Sequence, residues 1–180
     1  MTNAYGEDTW DALLDATGLE GAWTSLGSYP DEDLMALVAA AASALGTTNE
    51  AVLKQVGEGA VPLLAGRYPQ FFTGHDSTRP FLLTLNDIIH AEVRKLYPGA
   101  EVPVFSFDTS DDEVLKLRYF SPRRLCALAE GFIAGAATVY RQAALIEQPE
   151  CMHRGDEACI LHCRFQSFNG DAAHGTATAG

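Results

Sequence analysis

Apolar positions recur at helical intervals along the first hundred residues, then alternate, turn helical once more and alternate again. Residues 7 to 19 read as a short amphipathic helix. Pro30-Asp-Glu-Asp33 opens a second helix, which runs through the alanine-rich stretch Leu34 to Leu45 and stops at Gly46. Thr47-Thr-Asn-Glu50 has the form of a capping box for a third, whose apolar positions Val52, Val56, Ala60 and Leu63 lead up to Tyr68-Pro69. After a turn at Gly74-His-Asp76, Pro80 begins a fourth helix that Pro98-Gly99 closes. Leu82, Leu85, Ile89 and Leu96 fall near one line of it, with Leu83, His90 and Tyr97 beside them, so His90 sits at the edge of the apolar surface.

From Val102 the period changes to two. Val102 to Phe107 and Glu113 to Ser121 read as strands about the turn-rich Asp108-Thr-Ser-Asp-Asp112. A helix then spans Arg123 to about Arg141, with Leu125, Leu128, Ala129, Phe132, Ile133 and Ala136 on its apolar face. A second hairpin follows, with strands around Ala143 to His153 and Cys159 to Phe165 and a turn at Arg154-Gly-Asp-Glu157. Helices first, then a small antiparallel sheet interrupted by one helix, define an α+β plan.

Composition narrows what such a domain does. The 180 residues are 47% hydrophobic and 20% charged, the make-up of one soluble globular domain, expected over residues 1–168, with a Gly/Ala/Thr tail at 169–180 expected to be disordered. With 24 acidic against 12 basic residues the formal charge is −12, which repels a phosphate backbone, so nucleic acid is not an expected partner. Met1 to Leu14 holds no Lys or Arg, and the apolar run Leu34 to Leu45 is too short to span a bilayer; a cytoplasmic protein with no membrane partner is expected. Four cysteines in such a chain suit metal ligands, redox thiols or small buried residues better than structural disulfides. No Ser/His/Asp set, phosphate loop or paired carboxylates have the spacing an enzyme needs.

Three groups of residues carry chemistry. If Leu115, Leu117, Tyr119, Ser121 and Arg123 stay extended, they share one strand face. A phenol, a hydroxyl and a guanidinium in a row suit a pair of carboxylates; a Tyr, a helix-capping Ser and a surface Arg would give the same letters. His90 is either a core histidine satisfied by a carbonyl or a metal ligand. Cys151-x-His153-x5-Cys159 lies on two strands flanking a turn, and Cys126 comes from the first turn of the helix before them, a set that suits tetrahedral zinc. The fourth ligand is open: His162 or Cys163 can stand in for His153, Glu147 and Gln148 lie nearby, and thiols without metal remain the alternative.

Tyr119-x-Ser121-x-Arg123, preceded by a helix carrying Asp87-Ile-Ile-His90-x-Glu-Val93, resembles the H-NOX family, the haem nitric oxide/oxygen-binding domains. The resemblance covers about residues 5 to 166 and includes Tyr5-Gly6, Pro103, Ser121-Pro-Arg-Arg-Leu-Cys126 and Cys151-Met-His153. It implies the H-NOX fold and a haem b, with His90 as proximal ligand to the iron, Tyr119, Ser121 and Arg123 on the propionates, and Pro103 pressing on the porphyrin. In oxygen-binding relatives a tyrosine lies five positions after the motif Arg; here that position is Leu128, which implies stable complexes with NO and CO and no stable oxy complex. The resemblance further implies that NO weakens the iron–His90 bond, that the His90 helix then shifts, and that a histidine kinase or diguanylate cyclase is controlled in trans. Some members carry a zinc–cysteine cluster that responds to thiol oxidation. The family has a further helix before the Tyr-Gly element, where this chain has Met1 to Ala4; that first helix is expected to be missing, which would expose the distal haem face and favour a homodimer. Beside the NO sensor stand two other readings, a haem or tetrapyrrole carrier and a haem-free zinc or thiol redox adaptor.

Overall fold

The structure is a computed structural model and describes residues 6–24 and 27–168. Its elements are α1 (Glu7–Thr17), α2 (Asp31–Leu45), α3 (Asn49–Arg67), α4 (Thr78–Leu82), a π turn (Leu85–Ile89), α5 (His90–Leu96), β1 (Val104–Asp108), β2 (Leu115–Phe120), α6 (Cys126–Val139), β3 (Gln142–Glu150) and β4 (Cys159–Ser167). The strands form one antiparallel sheet in the order β1-β2-β4-β3. This is the α+β arrangement that the periodicities predict. The missing first helix and the disordered tail fall outside the described residues. Among those residues, no single helix is long and apolar enough to cross a membrane.

The α2–α3 junction lies one residue later than the capping box suggests. Gly46 adopts φ 62°, and the N–H groups of Gly46 and Thr47 bond back to Ser43 O (3.3 Å) and Ala42 O (3.0 Å), closing α2. Thr47 is thereby committed to the old helix. Thr48 opens the new one, its Oγ1 accepting from Ala51 N–H at 3.2 Å.

The buried face of α3 also differs from the expected stripe. Val52, Leu53, Gly57 and Val61 are buried, whereas Leu63 is 68% exposed. The reason is glycine. A Cβ on Gly57 would lie 2.5 Å from Leu128 O, one on Gly131 2.2 Å from Lys54 O, and one on Gly135 2.5 Å from Glu58 O. The main chains of α3 and α6 therefore touch, and their contact runs through residues that a count of apolar side chains skips.

Two apolar clusters result. Leu115, Leu117, Tyr119 and Leu161 of the sheet pack with Ile133 and Ala136 of α6 and with Phe81 and Leu82 of α4. Leu13, Val38, Ala41, Val52 and Leu53 knit α1, α2 and α3, and Leu125 and Ala127 join them to the start of α6. Burying Leu115, Leu117 and Leu161 completely contributes roughly 1.5–3 kcal/mol each.

The single helix expected from Pro80 to Tyr97 is broken. Thr78 starts α4 because Gln142 Oε1 accepts from both its N–H (2.9 Å) and its hydroxyl (2.8 Å). After Leu82 the Thr84 hydroxyl bonds back to Phe81 O (2.7 Å), and the chain widens into a π turn in which His90 N–H reaches Leu85 O. His90 is thus the first residue of α5, not the middle of a long helix.

The extended face expected to run through Arg123 ends at Phe120. Pro122 has no N–H for a ladder, and Arg124 adopts φ 52° with its N–H on Ser121 O at 3.1 Å. Residues 121–124 form a turn, and α6 begins at Cys126 rather than Arg123.

Candidate functional site

The break before His90, the turn after Phe120 and the close α3–α6 contact enclose a cavity of about 440 Å3. Its wall is largely apolar: Val61 and Leu64 from α3, Phe81 and Leu82 from α4, Leu85 and Ile89 from the π turn, Leu128 and Phe132 from α6. His90, Pro103, Tyr119, Ser121, Arg123 and Leu128, the six residues singled out in the sequence for one site, all line it.

His90 lies half-buried against the Phe105 ring, with centroids 5.9 Å apart and planes at 26°. Its Nδ1 is buried and meets no hydrogen-bonding partner. Burial, and next the Arg94 guanidinium, push the imidazole pKa down, while the backbone at Pro103 works the other way. The ring is therefore neutral at pH 7 and keeps an unshared pair, the form in which histidine binds a metal. A buried ring nitrogen without a partner is costly unless something else occupies the cavity beside it.

Tyr119 and Ser121 are 2% exposed. Burial raises the Tyr119 pKa, against hydrogen bonding with Ser121 and the Leu125 backbone, so the phenol stays protonated and can donate. Ser121 Oγ accepts from Arg123 N–H at 3.3 Å, which fixes the turn. The Arg123 side chain, placed by the turn and not by a strand face, forks onto Asp31 at the start of α2. Nε lies 3.0 Å from Oδ1 and 2.8 Å from Oδ2, and Nη2 also contacts Oδ1. That pairing holds the Asp31 carboxyl below the usual carboxylate range and raises the guanidinium pKa. Asp31 was missed in the sequence, where it reads as one of three acids in a first helical turn.

A second missed residue is Asn86 in the π turn. Its Nδ2–H donates to Phe105 O (2.6 Å), and its Oδ1 accepts from Phe105 N–H (3.2 Å). Nothing in the local pattern marks it, because its partner is 19 residues away on β1.

A cluster of thiols lies on the same face of the sheet as Tyr119, which pairs in register with Cys159. The Sγ atoms of Cys126, Cys151 and Cys159 all lie within 4.8 Å of one another, with Cys126–Cys151 at 3.8 Å and Cys151–Cys159 at 3.9 Å. His153 does not join them. The helical turn Met152–Arg154 carries it outward, and its Nε2 sits 2.7 Å from Arg124 O. Cys163 is buried elsewhere on β4, where burial and then Glu130 push its thiol up to about 12. Burial likewise lifts Cys159 to about 12 and raises Cys126; at Cys151 burial is outweighed by hydrogen bonds from the His153 backbone, Cys126 and Cys159, and its pKa is lowered. The Gln148 side chain approaches Cys126, and its Nε2 is buried with no partner.

One apolar cavity thus gathers a neutral imidazole with a buried, unpartnered Nδ1 and a phenol, a hydroxyl and a guanidinium in its wall. The family model described as Haem-NO-binding matches residues 1–148, and the chain belongs to that family. Solved structures agree. The chain is 30% identical to an H-NOX protein from S. oneidensis in the Fe(II)NO ligation state, covering 92% of this chain and 93% of that one with a TM-score of 0.85. It is also 30% identical to the SO2144 H-NOX domain from Shewanella oneidensis in the Fe(II)CO ligation state, covering 93% of each chain with a TM-score of 0.83. An Fe(II) unliganded H-NOX protein from K. algicida, 20% identical, shares the fold, with 94% of this chain and 92% of that one covered and a TM-score of 0.81. A comparison with curated protein sequences gave no match.

Proposed function

We propose that the chain is a haem-based nitric oxide sensor that signals to a separate partner protein. The observation that carries this reading is the buried, unpartnered Nδ1 of His90 in the same cavity as Tyr119, Ser121 and Arg123. Bound haem b would supply an iron at which NO or CO coordinates. His90 would present its neutral imidazole as the protein's iron ligand. Tyr119, Ser121 and Arg123 would donate to the propionates, with Arg123 sharing or exchanging its present carboxylate, Asp31. Pro103, in the cavity wall close to His90, would crowd the macrocycle. Leu128 offers no donor, so oxygen, which needs one, would gain no support, whereas NO binds without it. When NO binds, release of His90 would free α5 to shift, and a histidine kinase or diguanylate cyclase in trans would read the two positions.

The test is an absorption spectrum of the purified, haem-reconstituted chain with and without NO. A Soret band that shifts with NO and is lost in His90→Ala supports the reading. Rapid loss of haem to an acceptor points instead to a carrier, and no Soret band at all to a haem-free adaptor.

The thiol cluster supports a second site. Cys126, Cys151 and Cys159 converge as three soft ligands suited to zinc, with the Gln148 amide beside Cys126. Metal analysis of untagged protein decides this, and a zinc content near zero ends it. A homodimer is the assembly we favour, on the exposed Leu63 and on Leu64 and Phe132, which are exposed and also line the cavity; a monomer by light scattering at high concentration removes it.

A further inference from the structure

β1 is an edge strand, and an edge leaves alternate N–H and C=O groups without a neighbour. At Phe105, paired in register with Tyr119 on β2, both free groups are taken by one side chain. Asn86 Nδ2–H donates to Phe105 O and Asn86 Oδ1 accepts from Phe105 N–H. A carboxamide carries the same donor and acceptor as a peptide group, so it pairs with the edge as one residue of a further strand would. The pairing falls within the π turn, whose bonds run from Ile89 N–H to Thr84 O (3.3 Å) and from His90 N–H to Leu85 O. Such wide turns carry an extra residue that can be passed along the helix, so one held at a fixed place needs a restraint. Phe105 is also the residue whose ring stacks on His90. The same strand residue is thus gripped through its main chain by the turn ahead of His90 and touched through its side chain by His90 itself.

We propose that Asn86 is a positioning residue: its side-chain amide ties the π turn to β1 and so sets how firmly His90 is presented to the cavity. The proposal rests on the reading of His90 as the iron ligand, and it adds what holds that ligand in place. Leu85, Ile89 and Phe105 keep their apolar contacts without the amide, so loss of the clamp loosens the turn and leaves the fold standing.

Hydrogen–deuterium exchange of the full chain, haem-free and haem-loaded, tests this with Asn86→Ala and Asn86→Gln. In Asn86→Ala, exchange of amides in residues 85–97 and at Phe105 should rise roughly tenfold, with α3 and α6 unchanged. Asn86→Gln, which keeps the amide on one more methylene, should fall between that variant and the parent; if Asn86→Ala does not fold, Asn86→Gln carries the test. In haem-loaded ferrous protein, the iron–histidine stretching band should broaden and move to lower frequency in the same order. Unchanged exchange at 85–97, or an equal rise across α3 and α6, overturns the proposal. If the parent protein shows no iron–histidine band, the reading of His90 fails, and the haem-free exchange still decides whether Asn86 is a clamp.

Discussion

Gly131→Ala is expected to push α3 and α6 apart. Its Cβ would lie 2.2 Å from Lys54 O and 2.9 Å from Lys54 C and Cα, all main-chain atoms of the facing helix, which cannot rotate away as a side chain would. Ordinary contact needs roughly 3.5 Å, so α3 must retreat by about 1 Å. Overpacking of this kind costs about 1–3 kcal/mol, and the better helix propensity of alanine offsets about 1 kcal/mol of it. The net loss, up to about 2 kcal/mol, lowers Tm by up to about 8 °C in a chain of this size. Gly59→Ala on α3 is the control, because no heavy atom lies within 4 Å of its Cβ; there only the propensity gain remains, and Tm should rise. Circular-dichroism melts of the two haem-free variants read this difference of sign. Val61 and Leu64 ride on α3, so its retreat also opens the cavity against Leu128 and Phe132, and haem should pass faster to an excess acceptor from Gly131→Ala. A Gly131→Ala protein melting at or above Gly59→Ala would refute the close main-chain contact.

Three further outcomes follow from the geometry. Arg123 lowers the Asp31 pKa, so the stability this pair adds is fully present above the unfolded carboxylate value of about 3.9 and fades as pH falls through the lower folded value; Asp31→Asn should flatten the acid limb of the stability–pH curve below about pH 4, and an unchanged limb counts against the bridge. Leu128→Tyr puts a donor into the cavity and should make the ferrous protein hold oxygen measurably longer than the parent, which should give no persistent oxy spectrum in air; a parent oxy complex as durable as the variant's contradicts the role of Leu128. Cys126→Ser should lower bound zinc by at least about tenfold while Cys163→Ser leaves it unchanged, as metal analysis after dialysis will show; equal losses from both variants would mean that the three-thiol cluster is not the site.

How far the chain was legible depended on whether a feature is written in apolar side chains. The helix over Asp31–Leu45, the helix read as Arg123 to about Arg141 and the strands β2 and β4 emerge from period, because one face of each carries buried apolar residues. On α3 that logic pointed to Leu63 and missed the true seam, since Gly57 meets α6 with no side chain at all. The helix written as Pro80 to Tyr97 has apolar residues at suitable spacing throughout. It breaks because Thr84 and Asn86 spend their polar groups on Phe81 O and Phe105, and a hydropathy pattern does not register where a hydroxyl or an amide bonds.

The candidate site divides along the same physical line. His90, Tyr119, Ser121 and Arg123 declare themselves by type, since imidazole, phenol, hydroxyl and guanidinium are chemically distinctive wherever they stand. What orients them does not: Asp31 meets Arg123 across 92 residues, Asn86 meets Phe105 across 19, and each looks ordinary in its own segment. The thiols repeat the lesson in reverse. His153, two residues from Cys151, seemed the natural fourth ligand, yet the turn Met152–Arg154 rotates it onto Arg124 O, while Gln148, with no usual claim to a metal, has its amide left beside Cys126. Residue type therefore points to groups whose chemistry suits a ligand, and only the fold shows the groups that aim them. Variants at Asn86 and Asp31 should accordingly change how His90 and Arg123 act while leaving the groups themselves in place, a separation that substitution of His90 or Arg123 cannot achieve.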